Sequence, residues 1–294
     1  MIKYNNWLTL KNKNLDFNVE ISNQIKINSK SYFDAIDFNA RYVADTFPQP
    51  FDIFLSGGID SELIVITNQN LGIKQNILIV EFENNINIKD VNEAKNICKN
   101  LGIPYKIIKI NLKDWFENEA EDYYKKSHCS RIEYLPRLSW HKYSDNTMIM
   151  GGAEPYWRRE LEQDYSQKSK WFLILTDHDF SLSLYDLSNR SNIIGEWYCM
   201  TPDITFTFHK EPLIQDLISD KLVGKISSYS SRIPLLRQKF TNIAPKPKLV
   251  GYEGAEGLPG SLPDFMESFK NNVMKESNST TVKLTEEYLD SLIL

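Results

Sequence analysis

The run FDIFLSGGIDSELIV, residues 51–65, constrains this chain more than any other stretch. FDIFLS is a short continuous apolar segment, the pattern of a strand covered on both faces. It runs directly into Ser56-Gly57-Gly58, then Asp60-Ser61, then an apolar helical pattern. Two adjacent glycines let the backbone turn tightly and approach a ligand closely. The amides of such a turn and of the helix start converge on one spot, which binds an anion. Ser56 and Ser61 add hydroxyl donors. Asp60 repels an anion unless a cation bridges the two, and Mg2+ between carboxylate and phosphate oxygens is such a cation. The run is neither a Walker A loop nor GxGxxG. The plain alternative is a strand–turn–helix in which Asp60 or Ser61 caps the helix.

The flanking pattern extends the unit. Residues 1–30 read as a small β hairpin or meander, and residues 31–47 as an amphipathic helix stopped by Pro48 and Pro50. After the loop a helix closes near Gly72, NILIVEF is a second strand, and IKDVNEAKNICKNLGI is a helix. PYKIIKINL is a third strand, LKDWFENEAEDYYKKS a third helix, SRIEYLPRLSWHKY a further helical stretch, and TMIM a fourth strand. Strand–helix units of this length predict a mostly parallel sheet with helices on both faces and right-handed crossovers. Further on, WFLILTD, FSLSLYDL and ITFTF read as short strands. EPLIQDLISDKLVGKI and SRIPLLRQKF read as helices, and the tail as a helix, a linker and a final short helix. The expected division is a β-and-helix appendage at 1–47, a central α/β domain at 48–250 and a helical tail at 251–294.

SGGIDS matches the SGGxDS signature of the N-type PP-loop ATP pyrophosphatases, and on these residues the chain resembles that family. The family includes the synthetase domain of asparagine synthetase, NAD synthetase, GMP synthetase and argininosuccinate synthetase, and shares an adenine-nucleotide α-hydrolase-like fold. The resemblance implies ATP and Mg2+ as cofactors, with pyrophosphate held by Ser56, Gly57, Gly58, Asp60 and Ser61 and the metal by Asp60. It places Val80, Glu81 and Phe82, which end the second strand, near the nucleoside. Within the family the asparagine synthetase domain looks nearest. Its Gly- and acid-rich loop corresponds to MIMGGAEPYW, with Gly151, Gly152 and Glu154. SRIPLLRQKFTNIAPKPK resembles its basic stretch, which makes Arg237, Lys246 and Lys248 candidates for a phosphate clamp, with Lys225 behind them.

The departures narrow the chemistry. Position 2 is Ile, so the N-terminal cysteine of a glutaminase domain is missing, and 50 residues are too few for that domain. The cysteine pairs of thiolating relatives are absent, as are the zinc-binding cysteines of deazaguanine-forming ones. The resemblance therefore implies an ATP-dependent ligase that adenylates a small carboxylate or amide, releases pyrophosphate and transfers the activated group to ammonia or an amine. The ammonia source would be separate.

Charge and cysteines bound the partners. The net charge of -5 disfavours an electrostatic nucleic-acid binder. From Lys210 to Val250, however, eight Lys or Arg oppose three acids. That excess fits polyphosphate, a nucleic acid or a solvated helix face, and it keeps a tRNA- or DNA-base-modifying enzyme as an alternative. A non-catalytic nucleotide-binding protein is another, because the family's paired acids shrink here to Glu154. Cys98, Cys129 and Cys199 form neither a disulfide framework nor a CxxC knuckle. Neither a membrane-spanning run nor a signal peptide is read, so a cytoplasmic protein without membrane partners is expected. His128, Cys129 and His141 are too few for a metal site. Asp177, His178 and Asp179 read as a polar turn or an ammonium or divalent-ion site. Arg158 and Arg159 either present a fork to a substrate carboxylate or pair with Glu160 and Glu162 on a solvated helix.

Overall fold

The computed structural model describes residues 2–4, 7–11, 18–127, 129–152, 155–160, 170–176, 180–189, 192–219, 225–226, 233–240, 262–274 and 281–293. Its centre is a five-stranded, wholly parallel sheet. Across the sheet the strands run Ile193–Ile194, Thr147–Ile149, Phe51–Phe54, Gln75–Phe82 and Tyr105–Ile110. The chain begins this sheet in the middle, lays two strands to one side, and returns to lay two on the other. The order therefore reverses between Phe51–Phe54 and Thr147–Ile149, and the crevice at the carboxyl ends of these strands is where open α/β sheets take ligands.

Alternation along the strands divides the apolar side chains between the two faces. Ile53, Ile77, Ile79, Ile149 and Ile194 lie in one core. The helices Tyr32–Thr46, Ile59–Leu71, Ile88–Leu101 and Pro202–Lys210 cover it, as does the N-terminal meander. Phe54, Leu78, Val80, Phe82, Met148 and Ile193 lie in a second core. It is covered by the helices Leu112–Asn118, Ala120–Ser127, Ser181–Asn189 and Leu262–Val273 and by the 3-10 segment Leu135–Tyr143. The meander is the antiparallel set Ile2–Tyr4, Leu8–Lys11 and Asn18–Ile21. It docks through Trp7, whose indole donates to the Cys199 carbonyl at 2.8 Å. At the amino-terminal edge of the sheet, buried Asp52 accepts from Asn76, Asn146 and Ser144, which ties three neighbouring strands together.

The mixed α/β class, the mostly parallel sheet and the β appendage agree with the sequence reading. Several local expectations do not. FSLSLYDL is the helix Ser181–Asn189, not a strand: Ser181 and Ser183 are as buried as Leu182, so the Ser/Leu alternation marks no solvent face. ITFTF lies in the helix Pro202–Lys210. Proline occupies its first turn, and Pro202 to His209 are all buried, so Thr205 and Thr207 are interior residues. The stretch 112–127 is two helices, Leu112–Asn118 and Ala120–Ser127, parted at Glu119. This break turns Trp115, Phe116 and Tyr123 into the same core.

A second, antiparallel sheet, which the sequence reading did not foresee, orders Lys225–Ile226, Trp157–Glu160, Lys170–Thr176 and Thr281–Thr285. Arg158 and Arg159 are therefore in a strand rather than on a helix, and of the expected helix at 211–226 Pro212–Ser219 is helical while Lys225–Ile226 is a strand. The strand Thr281–Thr285 pairs along its whole length with Phe172–Thr176. No helix among the described residues is long and apolar enough to cross a membrane.

Candidate active site

The Phe51–Phe54 strand ends with the Leu55 amide donating to the Leu78 carbonyl at 2.9 Å. The chain then leaves the sheet through Ser56-Gly57-Gly58 and enters the Ile59–Leu71 helix. Gly57 has φ 81°, left-handed, and a Cβ there would come within 2.6 Å of the Asp90 carbonyl oxygen. Conformation and space both demand glycine at this point. The loop closes through its own hydroxyls. Ser61 Oγ donates to the Gly58 carbonyl at 3.1 Å and accepts from the Ser56 amide at 3.2 Å. With that proton committed, Ser56 Oγ is the donor in the 3.1 Å contact to Ser61 Oγ. Gly58 is the N-cap, and no side chain caps the helix. The plain capping role for Asp60 or Ser61 is thereby ruled out: Ser61 turns back onto the Gly58 carbonyl, and no side-chain cap bond is made at this helix start, the kind of place that takes an anion.

Asp60 is half-buried in the first turn, where its carbonyl accepts from the hydroxyl of fully buried Tyr198 at 3.0 Å. Gly151, just past the Thr147–Ile149 strand, lies against the same turn and bridges to Glu196. Glu196 is fully buried, and the Ser183 hydroxyl donates to it. The Gly152 amide donates to the Met150 carbonyl at 3.1 Å. Ser56, Gly57, Gly58, Asp60, Ser61 and Gly151 thus come together at the switch point. Glu196 and Tyr198 join them, although no motif marks either in the sequence; only the strand Ile193–Ile194 before them hints at a carboxyl-end position.

The end of the second strand is arranged differently from a side-chain platform. Val80 and Phe82 turn their side chains into the core beside Phe54. Glu81 faces Lys95 at 3.4 Å and Lys109 at 3.9 Å. What this strand offers the crevice is main chain. Arg237 is exposed on the Ile233–Lys239 helix, which the Lys239–Asp37 pair ties to the start of the Tyr32–Thr46 helix at 3.3 Å. Glu154, Lys246, Lys248, His128 and the 177–179 turn lie outside the described residues. His141 Nδ1 contacts the Leu138 carbonyl at 2.7 Å, and Cys129 Sγ donates to the Arg131 carbonyl at 3.3 Å. Among the described residues no group of three or more His, Cys, Asp or Glu is placed to hold a metal ion.

A parallel sheet of this order, with a glycine loop and an uncapped helix at its switch point, defines a PP-loop protein of the adenine-nucleotide α-hydrolase-like fold. The family model for NAD synthase matches residues 33–182, half of the chain, and the chain belongs to that family. The sequence reading set asparagine synthetase nearest; the family that matches is another member of the same group. Among solved structures the chain is similar to the NMN synthetase from Francisella tularensis, at 19% identity and a TM-score of 0.31, covering 42% of this chain and 55% of that one. It is also similar to the NH3-dependent NAD synthetase from Campylobacter jejuni subsp. jejuni NCTC 11168 in complex with the nitrate ion. There the identity is 23%, the TM-score 0.30, and the coverage 42% of this chain and 56% of that one. The chain thus spans little more than half the length of either. Comparison with curated proteins returned no match.

Proposed function

We propose that the protein is an AMP- and pyrophosphate-forming synthetase. It would adenylate a small carboxylate or amide and pass the activated group to ammonia or an amine from a separate source. The observation that carries this reading is the Ser56–Ser61 loop at the switch point, with glycine enforced at Gly57 and the helix behind it uncapped. Membership of the NAD synthase family, part of the group that shares this signature, supports the same chemistry. In this reading residues 48–250 are the synthetase unit, flanked by 1–47 and 251–294.

The donor set fits Mg2+ that arrives with ATP. Asp60 alone among the described residues offers a carboxylate on the loop, and Mg2+ is commonly held by one or two carboxylates plus substrate phosphates and water. When bound, the ion would neutralise charge on the phosphate oxygens. The chain's own residues do the rest. The amides after Gly58 would hold the leaving pyrophosphate, and the Ser56 hydroxyl, which holds Gly58 and Ser61 in this structure, would turn from Ser61 to join them. Asp60 orients it, while Tyr198 and Gly151 fix the turn that carries Asp60. Charge grows on the α-phosphoryl group as the acceptor oxygen attacks, and Arg237, Lys246 or Lys248 would meet it. Glu154, together with the Gly151 and Gly152 backbone, would face the acceptor. No side-chain nucleophile is required.

The test is product analysis with ATP, Mg2+, ammonium and a panel of small carboxylates and amides. AMP and pyrophosphate are the expected products, and ADP with orthophosphate would overturn the mechanism. Turnover that appears only with short RNA would transfer the reading to a nucleic-acid modifier.

A further inference from the structure

The Gln75–Phe82 strand runs past the point where its central neighbour leaves the sheet. Leu78 is the last residue paired there, its carbonyl taken by the Leu55 amide. Alternate residues of a parallel strand turn both main-chain groups to the same neighbour, so Val80 and Phe82 also face that vacated edge. Both are satisfied by one side chain. Asn87 Nδ2 donates to the Val80 carbonyl at 2.9 Å, and Asn87 Oδ1 accepts from the Phe82 amide at 2.8 Å. The carboxamide stands where the next residue of the central strand would have been, and the helix it begins packs on Gly57 at Asp90.

Asn87 is also the N-cap of the Ile88–Leu101 helix, yet its side chain does not cap it. Elsewhere the chain uses such residues as expected: Asn111 accepts from the Asp114 amide and Ser31 from the Asp34 amide. Asparagine is among the best N-caps. Here it has been drawn off its helix onto the strand edge, with its backbone at φ -116°, ψ 32° rather than extended, so capping would take a turn of the backbone as well as of the side chain.

We propose that Asn87 is a placeholder for the nucleotide base, a specificity residue that yields the Val80–Phe82 edge to adenine and falls back to cap its own helix. The proposal rests on the nucleotide reading above. A carboxamide sets one acceptor beside one donor. The outer edge of adenine does the same with N1 and the N6 amino group. A carbonyl followed two residues later by an amide on one side of a strand accepts either. Guanine presents the reverse order, O6 against the Val80 carbonyl and N1–H against the Phe82 amide, and is rejected. The exchange leaves no buried main-chain group unpaired, which the burial of Asn87, 7% exposed, otherwise demands.

The experiment follows the Asn87 side-chain amide by 15N NMR in the full chain, its signal assigned by its loss in Asn87→Ser. ATP with Mg2+ should shift this signal, whereas tripolyphosphate, which fills the loop without a base, should leave it in place. Serine can cap the helix but cannot bridge both main-chain groups. Asn87→Ser should therefore bind ATP about three- to tenfold more tightly, as expected when a competing closed state is removed, with tripolyphosphate affinity unchanged. ATP that binds wild type without moving the Asn87 signal overturns the exchange and leaves the nucleotide reading standing. Failure of ATP to bind while tripolyphosphate binds overturns both.

Discussion

Gly151 lies so close to Asp60 that a Cβ on the glycine would sit 3.1 Å from the Asp60 carbonyl carbon and 3.3 Å from the Asp60 Cβ. The two residues follow strands on either side of the switch point, so this contact joins the two segments that meet there. Gly151→Ala must push the first turn of the Ile59–Leu71 helix outward by a few tenths of an ångström. The melting temperature should change little, because the contact asks for a shift of only a few tenths of an ångström. The rate of pyrophosphate release should fall on the order of tenfold, since displaced positioning groups cost rate steeply. Steady-state kinetics beside a thermal melt separates the two. Full activity in the variant would place the reacting groups elsewhere.

Gly57→Ala is expected to be more damaging to the fold itself. The backbone is left-handed at φ 81°, and the new methyl would meet the Asp90 carbonyl oxygen at 2.6 Å and Glu93 Cβ at 3.0 Å. Strained backbone costs about 1–3 kcal/mol, and the clash falls on main chain that cannot swing aside. A chemical denaturation curve should show at least that loss, together with loss of pyrophosphate binding. A variant as stable as wild type would mean that the Ile88–Leu101 helix shifts to admit the methyl.

The strand–loop–helix at 51–71 was legible because each level of the sequence agrees: a short continuous apolar strand, paired glycines and an apolar helix. The site beyond it was legible only in part. Asn87, Glu196 and Tyr198 belong to no motif, and they enter the crevice through sheet order, which periodicity does not encode. The errors have one physical source. Ser181, Ser183, Thr205 and Thr207 are buried, so apolar–polar alternation there reports no exposed face. Likewise the second sheet joins residues 157–160, 170–176, 225–226 and 281–285, which are distant in sequence. Short segments of this kind form strands only because a neighbour is already in place.

Cys98 gives a test independent of the active site. It is fully buried in the Ile88–Leu101 helix, and burial pushes its thiol from the usual 9.0 to about 11. Native protein at pH 8 should leave it unmodified by iodoacetamide until denaturant is added, because the thiolate is the reactive form. The same shift has a sign in stability. The unfolded chain loses this proton above about pH 9, while the folded chain keeps it to about pH 11, so its contribution is intact below pH 9 and is lost across that interval. Melts from pH 8 to 11 should fall more steeply for wild type than for Cys98→Ala. Equal slopes would mean that water reaches the thiol.

Asp60→Asn tests the metal role. The side chain does not cap its helix, and asparagine keeps its size and shape, so the substitution should leave stability within about 1 kcal/mol of wild type. Pyrophosphate release should fall on the order of 10²–10³ and should no longer respond to Mg2+ concentration. Near-normal turnover would remove Asp60 from the mechanism, and a collapsed melt would give it a structural role instead.

The basic clamp is the last part of the mechanism to be tested, and its logic is electrostatic. In the proposed mechanism the Ser56–Ser61 loop would be taken up by the leaving pyrophosphate, so the charge that grows on the α-phosphoryl oxygens would need a second positive source. The segment from Lys210 to Val250 holds eight Lys or Arg against three acids in a chain of net charge -5. Arg237 is solvent-exposed, whereas its neighbour on the same helix, Lys239, is paired with Asp37 and lies over the rings of Phe33 and Phe240. Lys239 therefore anchors the helix, and Arg237 is the side chain left to move. Lys246 and Lys248 flank Pro247 and follow Pro245, a spacing suited to a shaped loop. If the contact tightens only as charge develops, substitution lowers the rate and spares nucleotide affinity. Replacing Arg237, Lys246 and Lys248 singly by Ala should cost at least one variant on the order of 10²–10³ in adenylate formation, with ATP affinity within about threefold of wild type. Lys239→Ala should instead lower the melting temperature and leave the rate per folded molecule unchanged. If all three clamp variants keep more than about a third of the wild-type rate, the positive charge on the α-phosphate comes from another segment of the chain.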